Sequence, residues 1–293
     1  MIIMDGKVCL VTGGTAGIGY VTALELARMG ASVIVHGRDE ARCRQVVKSI
    51  QDQSGNPLVE YLLADLSSQT QIRRAADQFH NQYDHLDVLV NNAGAFFLRR
   101  RLSPDGIEMT LAVNHLAYFL LTLLLLDAIK RSPAARVVNV ASGSHYNQQL
   151  DFNDLQLKKF YNPMQAYGRS KLANILFTYE LSRRLVGTSI TANALSPGMV
   201  ATDIWKKVNR WLTPLISPVM RRIAQTPLQG AQTSIYLATS AEVEGVKGKY
   251  FADKRAVRSS AASYDREAAR RLWELSAALV GLKDNPAQGL GIL

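Results

Sequence analysis

Short runs of Val, Leu and Ile, each followed by a longer helical pattern, constrain this chain more than any other feature. KVCLVTG (7–13), SVIVHG (32–37), LVEYLLA (58–64), LDVLVNN (86–92), ARVVNVAS (135–142) and SITANALS (189–196) read as strands, with a seventh near GKYFA (248–252). Helical patterns fill 17–29, 39–53, 68–83, 106–131, 164–186, 227–239 and 264–280. Runs that are apolar on both faces belong to strands covered on both sides, as in a parallel sheet. Strand–helix alternation then requires right-handed crossovers. The expectation is one doubly wound α/β domain over residues 1–282, a seven-stranded, mostly parallel sheet with helices on both faces. Segment 203–225 departs from the alternation and reads as a small lid over the sheet edge, and 283–293 as a flexible tail.

Strand one ends in TGGTAGIG, and a helix follows at once. Gly13, Gly17 and Gly19 allow a tight turn, with Thr15, Ala16 and Ile18 between them. A pyrophosphate can approach the amides of such a turn, and the helix start offers unpaired N–H groups and a positive dipole end. With a strand before and a helix after, the pattern is a dinucleotide cradle, making the domain Rossmann-type. The end of strand two reads HGRDEAR. The guanidinium of Arg38 suits a 2′-phosphate, which favours NADP(H). Asp39, if it pointed inward, would favour NAD instead.

A second constellation lies in AYGRSKLAN (166–174). Tyr167 and Lys171, four residues apart, rise from one helix face. A phenol beside an ammonium can be a packing accident, or an acid tuned for work near neutral pH.

Taken together, TGGTAGIG, NNAG (91–94), Asn114 in LAVNHLAYF, Ser142, Tyr167 with Lys171, and SPGMVAT (196–202) occur in an order that resembles the short-chain dehydrogenases/reductases. HGRDEAR, VNHLAYFLLT, DFNDL and AYGRSKLANILF resemble the retinol dehydrogenase-like branch, which usually uses NADP(H). The resemblance implies a catalytic tetrad of Asn114, Ser142, Tyr167 and Lys171. It also implies cofactor contacts at Asp65, Leu66, Asn91, Ala93, Gly94, Pro197, Gly198, Val200 and Thr202, besides the glycine turn and Arg38. Tyr167 would then donate the proton in carbonyl reduction, Ser142 would bond the same oxygen, and Lys171 together with the positive nicotinamide ring would lower the phenol pKa. Asn114 would hold a water linking Lys171 to solvent.

Ser142 and Tyr167 lie further apart than in many members of that family, and the intervening HYNQQLDFNDLQLKKFYN is expected to wall the substrate pocket. Phe96, Met199 and Trp205 are candidate lining residues, which suits a bulky, apolar ketone, aldehyde or alcohol. His145 either touches substrate or is fixed by local hydrogen bonds. An NAD-dependent alcohol dehydrogenase of the same fold and a non-catalytic dinucleotide sensor are the alternatives.

Composition sets the remaining bounds. With 47% hydrophobic and 20% charged residues the chain is globular. Its net charge of +10 admits nucleic acid, yet no nucleic-acid-binding motif is present, so no nucleic-acid partner is expected. A peripheral contact with an anionic membrane stays open, with 203–225 as its candidate segment beside the lid and plain-packing readings. The longest apolar stretch, FLLTLLLLDAI from Phe119, is about half a membrane span, so no integral membrane segment is expected. That stretch is apolar enough for either a homodimer or homotetramer interface or for plain core. Cys9 and Cys43 complete no metal site, no metal is expected, and a start without a basic leader points to a cytoplasmic protein.

Overall fold

A computed structural model describes residues 4–198 and 225–282. Its sheet runs β3-β2-β1-β4-β5-β6-β7-β8. The strands are β1 Val8–Val11, β2 Ser32–Gly37, β3 Val59–Leu63, β4 Val88–Asn91, β5 Arg136–Val140, β6 Thr191–Ser196, β7 Tyr250–Ala252 and β8 Arg255–Val257. All pairings from β3 to β7 are parallel, and only β8 is antiparallel. The order reverses at β1, so β1 and β4 flank the crevice where such folds bind ligands.

The eighth strand was not expected. It is a three-residue return of β7 through Asp253 and Lys254, both with positive φ. Neither residue is glycine, and Arg255–Val257 is exposed at every position, so no turn signal or buried alternation marks it.

The helices are α1 Gly17–Arg28, α2 Glu40–Ser54, α3 Gln69–Gln82, α4 Met109–Leu111, α5 Ala117–Leu124, α6 Leu126–Arg131, α7 Pro163–Arg184, α8 Pro227–Thr239 and α9 Arg266–Leu279. The stretch expected as one helix over 106–131 is thus three, with a π turn at Ala112–Leu116 between α4 and α5. Asn114 sits inside that widened turn, a feature often found at functional sites.

Apolar side chains fill both faces of the sheet. Leu10, Leu89 and Val137 pack with Phe79, Phe119 and Phe177 on one side. Cys9, Val11, Val35 and Val90 pack with Leu24, Leu26 and Ile50 on the other. The apolar stretch from Phe119 to Leu126 is core: Trp273 of α9 meets Phe119 edge-on at 5.0 Å and stacks on Phe177 at 5.8 Å. Cys9 and Cys43 are free and buried. Among the described residues no group of three or more His, Cys, Asp or Glu could hold a metal ion, and no helix is long and apolar enough to cross a membrane.

Candidate active site

The site is built at the C-terminal ends of β1, β4, β5 and β6. At the first turn, Gly13 has φ +63° and Gly17 φ +55°, conformations that only glycine adopts at no steric cost. Packing fixes Gly19 just as firmly, because a Cβ there would lie 2.4 Å from the Gly13 carbonyl oxygen. Gly37, which the sequence left unremarked, is equally constrained: its Cβ would meet Cys43 Sγ at 2.5 Å and Thr15 Cγ2 at 2.7 Å.

Two further side chains hold this turn. Thr12 Oγ1 accepts from the amides of Asn92 and Ala93 at 2.8 and 3.0 Å, tying β1 to NNAG. His36, buried in β2, accepts from Gly13 N at its Nδ1 (3.3 Å), so its Nε2 carries the proton and donates to Ala64 O at 3.0 Å. Burial pulls the His36 pKa down to about 4, which keeps that tautomer neutral. Thr12 opens TGGTAGIG and His36 opens HGRDEAR, but neither bond could be read from those stretches.

The two helix starts at this corner differ. Ala16 precedes α1 and supplies no side-chain cap, so the leading amides of that helix are not covered by a side chain. Asp39 precedes α2, and its carboxylate accepts from Arg42 N at 2.9 Å. Arg38 is exposed beside it, and Arg42 Nε donates to Thr15 O at 3.3 Å, which brings a second guanidinium to the turn.

Asp65 is partly buried and accepts from Ser67 N at 2.9 Å, while Leu66 lies in the core. Asn91 is fully buried, and its amide donates to Asn139 Oδ1 at 2.9 Å and Thr122 Oγ1 at 3.0 Å, fastening the central strands. A Cβ at Gly94 would come into contact with Lys171 Nζ, at 3.4 Å. Pro197 and Gly198 follow β6, where Gly198 has φ +79° and its amide donates to Ser196 Oγ at 3.3 Å. The same oxygen accepts from Gly143 N at 3.2 Å, so Ser196 joins the β5 and β6 loops. Met199, Val200, Thr202 and Trp205, most of the 203–225 lid and the 283–293 tail lie outside the described residues.

Asn114, Ser142, Tyr167 and Lys171 are brought together. Ser142 follows β5, its Oγ accepts from Ser144 N at 3.1 Å, and it stands close enough to the Tyr167 phenol to lower its pKa. Lys171 is 2% exposed, donates to Val140 O at 2.9 Å, and stands 5.6 Å from the Tyr167 ring centroid. Asn114 Oδ1 accepts from Ala95 N at 2.8 Å, while its Nδ2 donates to Ala95 O at 3.0 Å and Ser170 Oγ at 3.1 Å. Gly168 makes the approach possible, since a Cβ there would lie 2.7 Å from Ser144 O.

The protein's own field acts against the expected fall in the phenol pKa. Burial pushes Tyr167 up to about 12, against a lowering by the Ser142 bond. Burial also pulls Lys171 down to about 7, weakening the ammonium that was to supply the opposite effect. Two ionisable groups in one desolvated pocket both favour their neutral forms.

Phe96 is 9% exposed and its ring lies 5.8 Å from that of Tyr167, at the wall where a substrate would meet the phenol. His145 is fully buried and has both nitrogens occupied: Nε2 accepts from Ser260 N at 3.0 Å, so Nδ1 donates to Ser142 O at 2.7 Å. These bonds fit the local-fixation alternative, in which His145 shapes the serine loop.

A dinucleotide cradle at the sheet's reversal point and a Ser–Tyr–Lys cluster beside it define an oxidoreductase acting with a nicotinamide cofactor. The chain belongs to the short-chain dehydrogenases, whose family pattern matches residues 7–213, and within them it is retinol dehydrogenase-like. It is 42% identical to human polyprenol dehydrogenase over 285 residues, covering 95% of this chain and 86% of that one. Mouse retinol dehydrogenase 14 is 41% identical over 294 residues, covering 96% and 87%. Among solved structures, a Pseudomonas aeruginosa RhlG/NADP active-site complex is similar with a TM-score of 0.70 and 27% identity, covering 85% of this chain and 95% of that one.

Proposed function

We propose that this short-chain dehydrogenase is NADP(H)-dependent and interconverts a bulky, apolar ketone or aldehyde with its alcohol. The observation that carries the cofactor assignment is the consumption of Asp39 as the cap of α2, with Arg38 exposed beside the glycine turn. A carboxylate bonded to its own helix start is poorly placed for ribose hydroxyls, while two guanidiniums at the corner suit a 2′-phosphate. The complex of a relative with NADP supports the same reading. Gly13, Thr15, Ala16, Gly17, Ile18 and Gly19 would cradle the pyrophosphate, and Asp65, Ala93 and Gly94 would line the adenosine and ribose side.

When bound, the nicotinamide gives or takes the hydride. Tyr167, neutral across the physiological range with its pKa near 12, would give the substrate oxygen its proton. Ser142 would hydrogen-bond that oxygen as it gains charge. Lys171 would hydrogen-bond the nicotinamide ribose, and in its protonated form would favour the phenolate left behind. The relatives, a polyprenol and a retinol dehydrogenase, support a long apolar alcohol or its carbonyl as substrate. Phe96 would contact it. A homodimer or homotetramer would use faces other than Phe119–Leu126, and a cytoplasmic location fits the free buried cysteines.

The test is a titration with NADPH and NADH followed by nicotinamide fluorescence, then a panel of apolar aldehydes and ketones. At least tenfold tighter NADPH binding, about 1.4 kcal/mol, is expected. Equal or tighter NADH binding would overturn the cofactor assignment, and NADPH binding without turnover would favour the sensor. Tyr167→Phe should lower kcat by roughly 10²- to 10⁴-fold with NADPH affinity retained.

A further inference from the structure

Behind Asn114 lies a chain of polar side chains that the proposed chemistry does not use. His115, Asn174 and Ser276 are each 0% exposed, as is Asn114 itself. Asn174 Nδ2 donates to the Asn114 carbonyl oxygen at 2.9 Å. Because a carbonyl only accepts, the Asn174 amide is oriented, and its Oδ1 faces His115 Nδ1 at 3.3 Å. His115 Nδ1 therefore carries a proton and donates it. Phe119 and Phe177 lie against the ring, and burial keeps the imidazole neutral, so Nε2 presents a lone pair. Ser276 of α9 stands 2.9 Å away and donates its hydroxyl proton to Nε2. Every bond has one permitted direction, Ser276 to His115 to Asn174 to Asn114.

The chain continues into the site. The side chain of Asn114 clamps both polar atoms of the Ala95 peptide and donates to Ser170 Oγ, which donates to Tyr167 O at 2.7 Å. We infer that Asn174, backed by His115 and by Ser276 from the C-terminal helix, is a positioning residue of this oxidoreductase. It fixes the π turn at Ala112–Leu116, and through Asn114 it sets the relation between the Ala95 strand end and the Tyr167 turn. None of the three touches the reacting atoms. Their position in this chain of bonds controls how well the phenol and the cofactor floor are aligned, and misalignment by a fraction of an ångström is felt in the chemical step more than in binding. The α9 helix is thereby part of the catalytic apparatus.

This inference rests on the reading of Asn114 and Tyr167 as catalytic, and its test separates the two. In the full-length chain, Ser276→Ala removes one hydroxyl, Ser276→Thr restores it, and Asn174→Leu removes both inner bonds at similar volume. With an apolar carbonyl and NADPH, kcat should fall roughly tenfold in Ser276→Ala and roughly a hundredfold in Asn174→Leu. KM and the NADPH Kd should stay within about threefold, and Ser276→Thr should return to within about twofold of the parent. Amide hydrogen exchange across 112–116 should rise in Ser276→Ala ahead of exchange in the central strands. Parental kcat in folded Ser276→Ala and Asn174→Leu would overturn the inference, as would losses confined to KM. Should the unmodified protein reduce nothing, the functional reading has failed, and the exchange measurement alone decides: unchanged protection at 112–116 in Ser276→Ala sinks the positioning role. If Asn174→Leu does not fold, Ser276→Ala and Ser276→Thr carry the test.

Discussion

Two helices start within a few ångströms of the glycine turn, and they start differently. Ahead of α1 stands Ala16, with no side chain for the first amides and no acidic residue in the first turn. Ahead of α2 stands Asp39, which caps its own helix, with Glu40 following. An uncapped helix start is a weakness unless something else satisfies it, whereas a carboxylate already bonded to its own backbone is not free for a ligand. The contrast is what the proposed cofactor assignment rests on: the first amides of α1 have no side-chain cap, whereas Asp39 is bonded to the start of α2.

The most disruptive way to break this contrast is to give α1 the cap that α2 has. Ala16→Asp should raise the melting temperature slightly while weakening NADPH binding by roughly a hundredfold, because its carboxylate competes for the same amides and repels phosphate. Thermal melts with a fluorescence titration will show whether stability and affinity move in opposite directions. Arg38→Leu should weaken NADPH by about tenfold and leave NADH nearly unchanged, and the gap should narrow at high salt because the site is exposed. An equal loss for both dinucleotides would mean that Arg38 does not read the 2′-phosphate.

The buried end of the site sharpens the contrast through pH. Lys171 is held near 7, well below its ordinary 10.5. Between those values the unfolded chain keeps a proton that the folded chain has lost, so stability should rise with pH from about 7 toward 10, by at most ~1.4 kcal/mol per unit. Tyr167 acts oppositely, but only above pH 10, where the folded state retains a proton that the unfolded state gives up. Denaturant melts from pH 6.5 to 9.5 should show the rise, and Lys171→Met should flatten it. The smallest effect belongs to Asp39→Ala, which should cost about 1 kcal/mol of stability as a lost cap. A large loss of NADH affinity with no loss of stability would show that Asp39 serves the cofactor and not its helix.

Most of the scaffold was legible because its signals are periodic. Seven strands and most helices could be placed from buried runs and spacing, and the glycine turn from the steric demands of its residues. What could not be read is instructive. Nothing in LAVNHLAYF announces a π turn, because the turn is fixed from outside, by Asn174 on α7, which follows it by sixty residues. His36 and Thr12 look like ordinary strand residues until the fold brings Gly13 and NNAG against them. Gly168 and Gly37 lie inside AYGRSKLAN and HGRDEAR, but only the backbone and side chains they meet explain them. The burial that pushes the Tyr167 phenol up was not legible either, because a charge pair is visible in a sequence and desolvation is not.

The covering of α5 by α9 also has a consequence in time. His115 and Ser276 are 161 residues apart, and Phe119 has Trp273 as its far-off neighbour. At ordinary synthesis rates of 5–20 residues per second, roughly ten to thirty seconds separate the emergence of one from the other. During that interval the apolar stretch around Phe119 has no α9 to cover it. The face of α5 that ends as core is therefore exposed apolar surface on the nascent chain, and it is α9 that closes it.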